Sequence, residues 1–115
     1  MVYRSAIVVI PQEPFLKWIN TVDTSVTLSL SDVQKDSNVY LIPDYDPPIG
    51  TIELETAIEN YIKKNYKGIF YNQLSEWYLD EETYPKMTYK TFNEWFKVTT
   101  HTVIFDMVNK PIGKI

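Results

Sequence analysis

The reactive chemistry open to this chain rests on one imidazole and a few carboxylates. His101 is the only histidine among 115 residues, hence the only side chain whose unperturbed titration falls near neutral pH. To act as a general base it needs an orienting partner, and Asp106 lies five residues on. Along one strand that odd spacing puts the two on opposite faces, so direct orientation is not expected. Asp44 and Asp46 form an Asp-x-Asp pair just past Pro43, and Glu13 follows Pro11. If the two proline-ended segments are parallel strands, Glu13, Asp44 and Asp46 converge at the carboxyl edge of a sheet, where open α/β sheets bind ligands. With Asp106 they would offer oxygens to a hard cation such as magnesium. No lysine, threonine or glycine-rich loop follows at phosphoryl-transfer spacing, however, so solvated turn acids are the simpler reading and neither metal nor cofactor is expected. No serine sits in a nucleophile elbow, and a single His forbids a His-Glu-x-x-His site.

A second constellation points to binding rather than catalysis. Residues 69–96 are dense in aromatics, and helical spacing assigns Phe70, Trp77, Tyr78, Phe92, Trp95 and Phe96 to a core. Tyr71, Tyr84 and Tyr89 are left over, close in sequence to Glu76, Asp80, Glu81 and Glu82. Rings beside carboxylates can receive a cationic protein partner, the rings stacking on Arg or Lys and the acids answering their charge. A merely solvated acidic loop is the plainer alternative.

Composition narrows the field further. The chain is 44% hydrophobic and 23% charged, which is ordinary globular usage, and its length suits one α/β domain with one core. It has no cysteine, so disulfides, thiolate metal sites and cysteine nucleophiles are excluded, and a reducing, cytoplasmic, bacterial setting is expected. The only apolar run near the start, Ala6 to Ile10, is too short for a signal-peptide core or a membrane span. With three glycines, little backbone is free to wrap phosphates. Fifteen acids against eleven bases give a net charge of −4, a field that disfavours nucleic acid. The charge is uneven: between Asp36 and Ile62 there is no Lys or Arg, and Lys63, Lys64 and Lys67 follow at once.

These groups must be positioned by a short series of elements. Ala6 to Ile10 reads as a central strand buried on both faces and stopped by Pro11. Pro14 suits the first turn of a helix carrying Phe15, Trp18, Ile19 and Val22 on one face. Ser29 with Asp32 forms a capping box for a short helix to about Asp36. Val39 to Ile42 is a second strand, joined to the first by a connection that fits a right-handed parallel crossover. A stiff loop from Asp44 to Gly50 leads to a helix from Thr51, with Leu54, Ala57, Ile58, Tyr61 and Ile62 on one face. Acids fall in its first turns and lysines in its last, as the helix dipole prefers. Gly68 marks a break or a bend before the next helix, which bears Phe70, Leu74, Trp77 and Tyr78. Thr88 caps one more short helix. A third strand is expected from His101 to Met107, with Val103, Phe105 and Met107 on one side, and residues 109–115 are expected to fray. The predicted order is β-α-α-β-α-α-α-β: a three-stranded α/β (or α+β) sheet covered by helices, the third strand's neighbour and direction left open.

The run Ile10-Pro11-Gln12-Glu13-Pro14-Phe15 with Trp18 and Asp23, then Val39-Tyr40-Leu41-Ile42-Pro43, Ile69-Phe70 with Leu74, Trp77-Tyr78, and Phe92, Trp95-Phe96 and His101, resembles a group of short bacterial cytoplasmic proteins of unassigned activity. The resemblance covers nearly the whole chain. It implies a stand-alone domain in which no residue has an established role. Where that group carries a Cys or Glu after the second-strand proline, this chain has Asp44-Tyr45-Asp46, which argues against a thiol-based role.

Two functions compete. One is an acidic protein-binding module that docks a basic protein through the Asp44 to Glu59 region or the Glu76 to Tyr84 loop. The other is a small hydrolase using Asp44, Asp46 and His101, metal-assisted or not, on a small molecule. Homo-oligomer formation through exposed aromatics is compatible with either.

Overall fold

The computed structural model describes residues 3–45 and 51–108. The expected fraying of 109–115, and Asp46 with the rest of the 46–50 loop segment, lie outside the described residues. In chain order the elements are β1 (Ser5–Pro11), α1 (Glu13–Val22), α2 (Leu30–Gln34), β2 (Asn38–Ile42), α3 (Ile52–Ser75), a 3₁₀ turn (Glu81–Thr83), α4 (Tyr89–Trp95) and β3 (Phe96–His101). The helix starts follow their local chemistry. Pro14 sits in the first turn of α1. The Ser29–Asp32 capping box forms as predicted, the Asp32 N–H donating to Ser29 Oγ at 3.2 Å and the Ser29 N–H to Asp32 Oδ2 at 2.9 Å. The hydroxyls of Thr51 and Thr88 accept the N–H groups of Leu54 and Thr91.

The strands form a single sheet in the order β2-β1-β3, so the apolar β1 is central. Both neighbours pair with it antiparallel, Ser5 opposite Ile42 on one side and Ala6 opposite His101 on the other. This overturns the parallel crossover between β1 and β2. A connection of two short helices can return a strand in either direction, and here Tyr40 and Ile42 come to lie beside Ile7 and Ser5 under the helices. The covered face carries Ile7, Val9, Ile42 and Phe96, all in the core cluster. Among the described residues no helix covers the opposite face, where Ala6 is buried but Val8 and Ile10 are only partly so, and the expected burial of β1 on both sides is met in part. Val39 and Leu41 there are 61% and 49% exposed.

The third strand is shifted. It ends at His101, where it was expected to begin, and Val103, Phe105 and Met107 are exposed and outside any strand. Phe96, expected on the helix, caps α4 and starts β3 without a loop, because Phe96 and Val98 lie opposite Pro11 and Val9 on the covered face. The Gln12 N–H donates to the Trp95 carbonyl at 2.8 Å, tying the two chain turns together.

Helix α3 corrects a second expectation. It runs unbroken for 24 residues through Gly68, so Lys63, Lys64 and Lys67 sit in mid-helix and do not complement its C-terminal dipole. Continuation buries Ile69, Phe70 and Leu74, and that burial outweighs the roughly 1 kcal/mol a mid-helix glycine costs. Trp77 falls past the helix end and is 44% exposed rather than core. The centre of the core is aromatic: Phe70 lies 5.9, 5.7 and 5.4 Å from the rings of Phe92, Trp95 and Phe96, and Phe15 stacks on Trp18 and Phe96.

Candidate functional site

Antiparallel pairing separates the carboxylates proposed for catalysis. Glu13 is the exposed first residue of α1, beyond the end of β1. Asp44 follows β2 and His101 closes β3, and these strands run opposite to β1, so both lie at the other end of the sheet. They stand on different edge strands with β1 between them, roughly 10 Å apart on strand spacing alone. His101 is exposed, its Nε2 3.1 Å from Thr99 Oγ1. Asp106 lies beyond β3 altogether, so the strand-face argument against its pairing with His101 no longer applies; its Oδ1 accepts the Val108 N–H at 2.9 Å. Asp46 is outside the described residues, and among those described no group of three or more His, Asp or Glu is placed to hold a metal ion.

The acidic aromatic set divides between three places. Tyr84 is part of the fold: its hydroxyl donates to the Tyr78 carbonyl at 2.6 Å, and its ring meets Trp18 and Tyr71 edge-on. Desolvation, then Tyr71, Glu81 and Asp80, holds the Tyr84 hydroxyl above its ordinary range. Asp80 is occupied as the cap of the 3₁₀ turn, accepting the Glu82 N–H, which leaves Glu81 and Glu82 exposed beside Tyr84. Tyr89 is elsewhere, against Tyr66, with the Lys63 ammonium 5.7 Å from its ring centre, so its cation comes from α3 itself. Glu76 is at the end of α3 and accepts from the Asn38 amide.

Glu76 belongs to a polar network between α3 and β2. The Tyr40 hydroxyl hydrogen-bonds Asn72 Oδ1 at 2.5 Å and accepts from the Gln73 amide at 2.9 Å. Burial is the main cause that raises the Tyr40 hydroxyl above its ordinary range, with Gln73 and Asn38 opposing. The polar groups of this network satisfy one another. The hollow over Trp18, Pro85 and Trp95 is about 710 Å³ but shallow, and the Trp18 indole N–H is already spent on the Thr83 carbonyl at 2.9 Å.

On the opposite flank of α3 the situation differs. A groove of about 410 Å³ runs between Leu54, Ile58 and Ile62 of the helix and Val98, Thr100 and Thr102 at and just past β3, with Glu55 and Glu59 on its rim. It exists because α3 is longer than what packs beside it. All ring contacts between α3 and α4 fall on Tyr66 and Phe70, in the second half of the long helix. In the first half Leu54, Ile58 and Ile62 are themselves buried, at 4%, 5% and 8% exposed, and only their edges form an apolar shoulder beside the edge strand, over which no helix lies among the described residues. Among the described residues the one ion pair is Lys63 with Glu59, at 3.2 Å, which leaves the Glu55 carboxylate without a cation.

Sequence reasoning placed Leu54, Ile58 and Ile62 on a buried face and marked Glu55 and Glu59 as part of an acidic stretch, but missed Val98, Thr100 and Thr102 as their opposite wall. The signal was present: Phe96 to His101 alternates apolar and polar directly after α4. No helix among the described residues is long and apolar enough to cross a membrane. No protein-family model matches the chain, and neither a curated protein nor a solved structure matches it significantly.

Proposed function

We propose that this chain is an acidic protein-binding module whose contact surface is the groove between α3 and β3 and whose partner presents a basic segment. The observation that carries this reading is the placement of Glu55, a carboxylate with no ion-pair partner among the described residues, on the rim of an apolar groove. Apolar contact supplies affinity at about 25 cal/mol per Å² removed from water. The carboxylates supply orientation, encounter rate and selection against acidic partners. Of the two acidic surfaces the groove is the better supported, because the Tyr84 ring and hydroxyl and the Asp80 carboxylate are committed to holding their own loop in place.

The test is fluorescence anisotropy with labelled peptides that combine Val or Leu with Lys, and matched peptides with Glu in place of Lys. The Lys peptides bind at low salt and weaken as salt rises, since rim charges are screened beyond about 10 Å at 0.1 M. Glu55→Lys with Glu59→Lys weakens binding by about tenfold or more, equivalent to 1.4 kcal/mol. Charge reversal at Asp80, Glu81 and Glu82 leaves binding unchanged. Equal binding of Glu and Lys peptides, or loss on reversal of the loop and not of the groove, refutes the assignment.

A further inference from the structure

The groove lies along a strand that has a neighbour on one side only. β3 pairs with β1, and its outer edge has no backbone partner among the described residues. In antiparallel pairing about half of the N–H and C=O groups of such a strand point away from its neighbour. Proteins blunt such edges by keeping them very short or with prolines, bulges, charged side chains or a covering element. β3 carries none of these over its middle: the register with β1 is continuous from Phe96 to His101, the central residues are Val98, Thr99 and Thr100, and its one lysine, Lys97, is near the start.

We infer that the partner enters this groove as an extended segment, adding a fourth strand to the outer edge of β3, with every second side chain facing the groove: apolar ones within it and a basic one at its rim meeting Glu55. The inference rests on the groove being the protein-binding surface and specifies how it binds. A strand added beside β3 lies about 4.8 Å further out, and its side chains alternate between the two faces of the sheet. Every second side chain then falls between Val98 and Thr100 below and Leu54 and Ile58 alongside. The intervening ones project on the side of Thr99 and His101. A helical partner, about 10 Å across, would fill the groove without satisfying the edge.

The comparison with the other edge strand strengthens the choice. β2 also has no backbone partner on its outer side among the described residues, but Asn38 and Tyr40 are tied to Glu76, which caps α3, and to Asn72 within it, joining helix and strand. The hollow left there between Tyr40, Ile42, Tyr61 and Asn65 is about 260 Å³. Among the described residues no hydrogen bond joins β3 to α3, and the groove between them is larger, about 410 Å³.

The experiment uses the full chain, a blocked extended peptide whose groove-facing residues, every second one, are valines and one lysine with threonines between them, and an amphipathic helical leucine–lysine peptide of equal charge. The alternating peptide is N-methylated one residue at a time. Strand addition predicts alternation: methylation at every second residue weakens binding about tenfold or more, and at the residues between has little effect. Amide exchange in β3 slows at alternate residues on binding. If a peptide binds in the groove but methylation has no alternating effect, or the helical peptide binds more tightly, strand addition is overturned while the groove assignment stands. If neither peptide binds, the groove assignment itself is overturned.

Discussion

Replacing Gly68 with alanine has a sign that depends on whether α3 is continuous. Gly68 lies well inside the 24-residue helix, its φ is not in the left-handed region, and a Cβ built on it meets nothing within 4 Å. In that geometry alanine introduces no clash and gains no contact, so the effect is the difference in helix propensity. Glycine is less favourable than alanine by about 0.8–1.0 kcal/mol in a helix interior, largely because it loses more backbone freedom on folding. Gly68→Ala should therefore stabilise the protein by about 1 kcal/mol. For a chain of this size that is a rise in Tm of about 4 °C, or about 0.5 M in urea midpoint at an m-value near 2 kcal/mol/M. Circular dichroism at 222 nm, followed through thermal and urea unfolding, reads both. Had the chain turned at Gly68 in a left-handed conformation, the alanine would meet its own carbonyl and cost about 1–2 kcal/mol. A fall in Tm would therefore show that Ile52–Ser75 is not one helix.

Three further outcomes follow from the same physical description. Phe70 is fully buried among Phe92, Trp95 and Phe96, so Phe70→Ala should cost about 3–5 kcal/mol in urea unfolding; a loss below about 1 kcal/mol would mean the ring cluster is not the centre of the core. The Ser5 hydroxyl is buried without a partner among the described residues, and Ser5→Ala should raise stability by about 1 kcal/mol by removing a desolvated, unpaired oxygen; destabilisation would reveal a hydrogen bond there. The Asp32 carboxyl is held below its ordinary range, first by the Ser29 backbone N–H and then by the Ser29 hydroxyl. A folded pKa below the unfolded one, about 3.9, contributes stability that is present above the unfolded value and lost as pH falls through the folded one. Asp32→Asn should thus be less stable than the parent at pH 7 and converge with it in acid; a gap unchanged between pH 7 and pH 2 would refute the capping box as its cause.

Much of the architecture was written in local chemistry. The Ser29–Asp32 box, the Thr51 and Thr88 caps, the β-branched run of β1 and the aromatic spacing of Phe70, Phe92 and Phe96 each act over a few residues, so a single stretch of sequence suffices to recognise them. Charge was legible too, as the stretch from Asp36 to Ile62 without Lys or Arg, in which Glu55 and Glu59 fall. What the sequence could not decide was anything that depends on two distant segments at once. The direction of β2, the frame of β3 between two overlapping alternating runs, and the passage of α3 through Gly68 were all settled by which choice buries more apolar surface against the rest of the chain. The same holds for the sites. Antiparallel pairing sends Glu13 to one end of the sheet and Asp44 and His101 to the other, while it leaves Val98 and Thr100 across from Leu54 and Ile58. Such a groove belongs to neither segment alone; it arises because a long helix and a short one lie side by side, and the difference in their lengths leaves an edge strand uncovered.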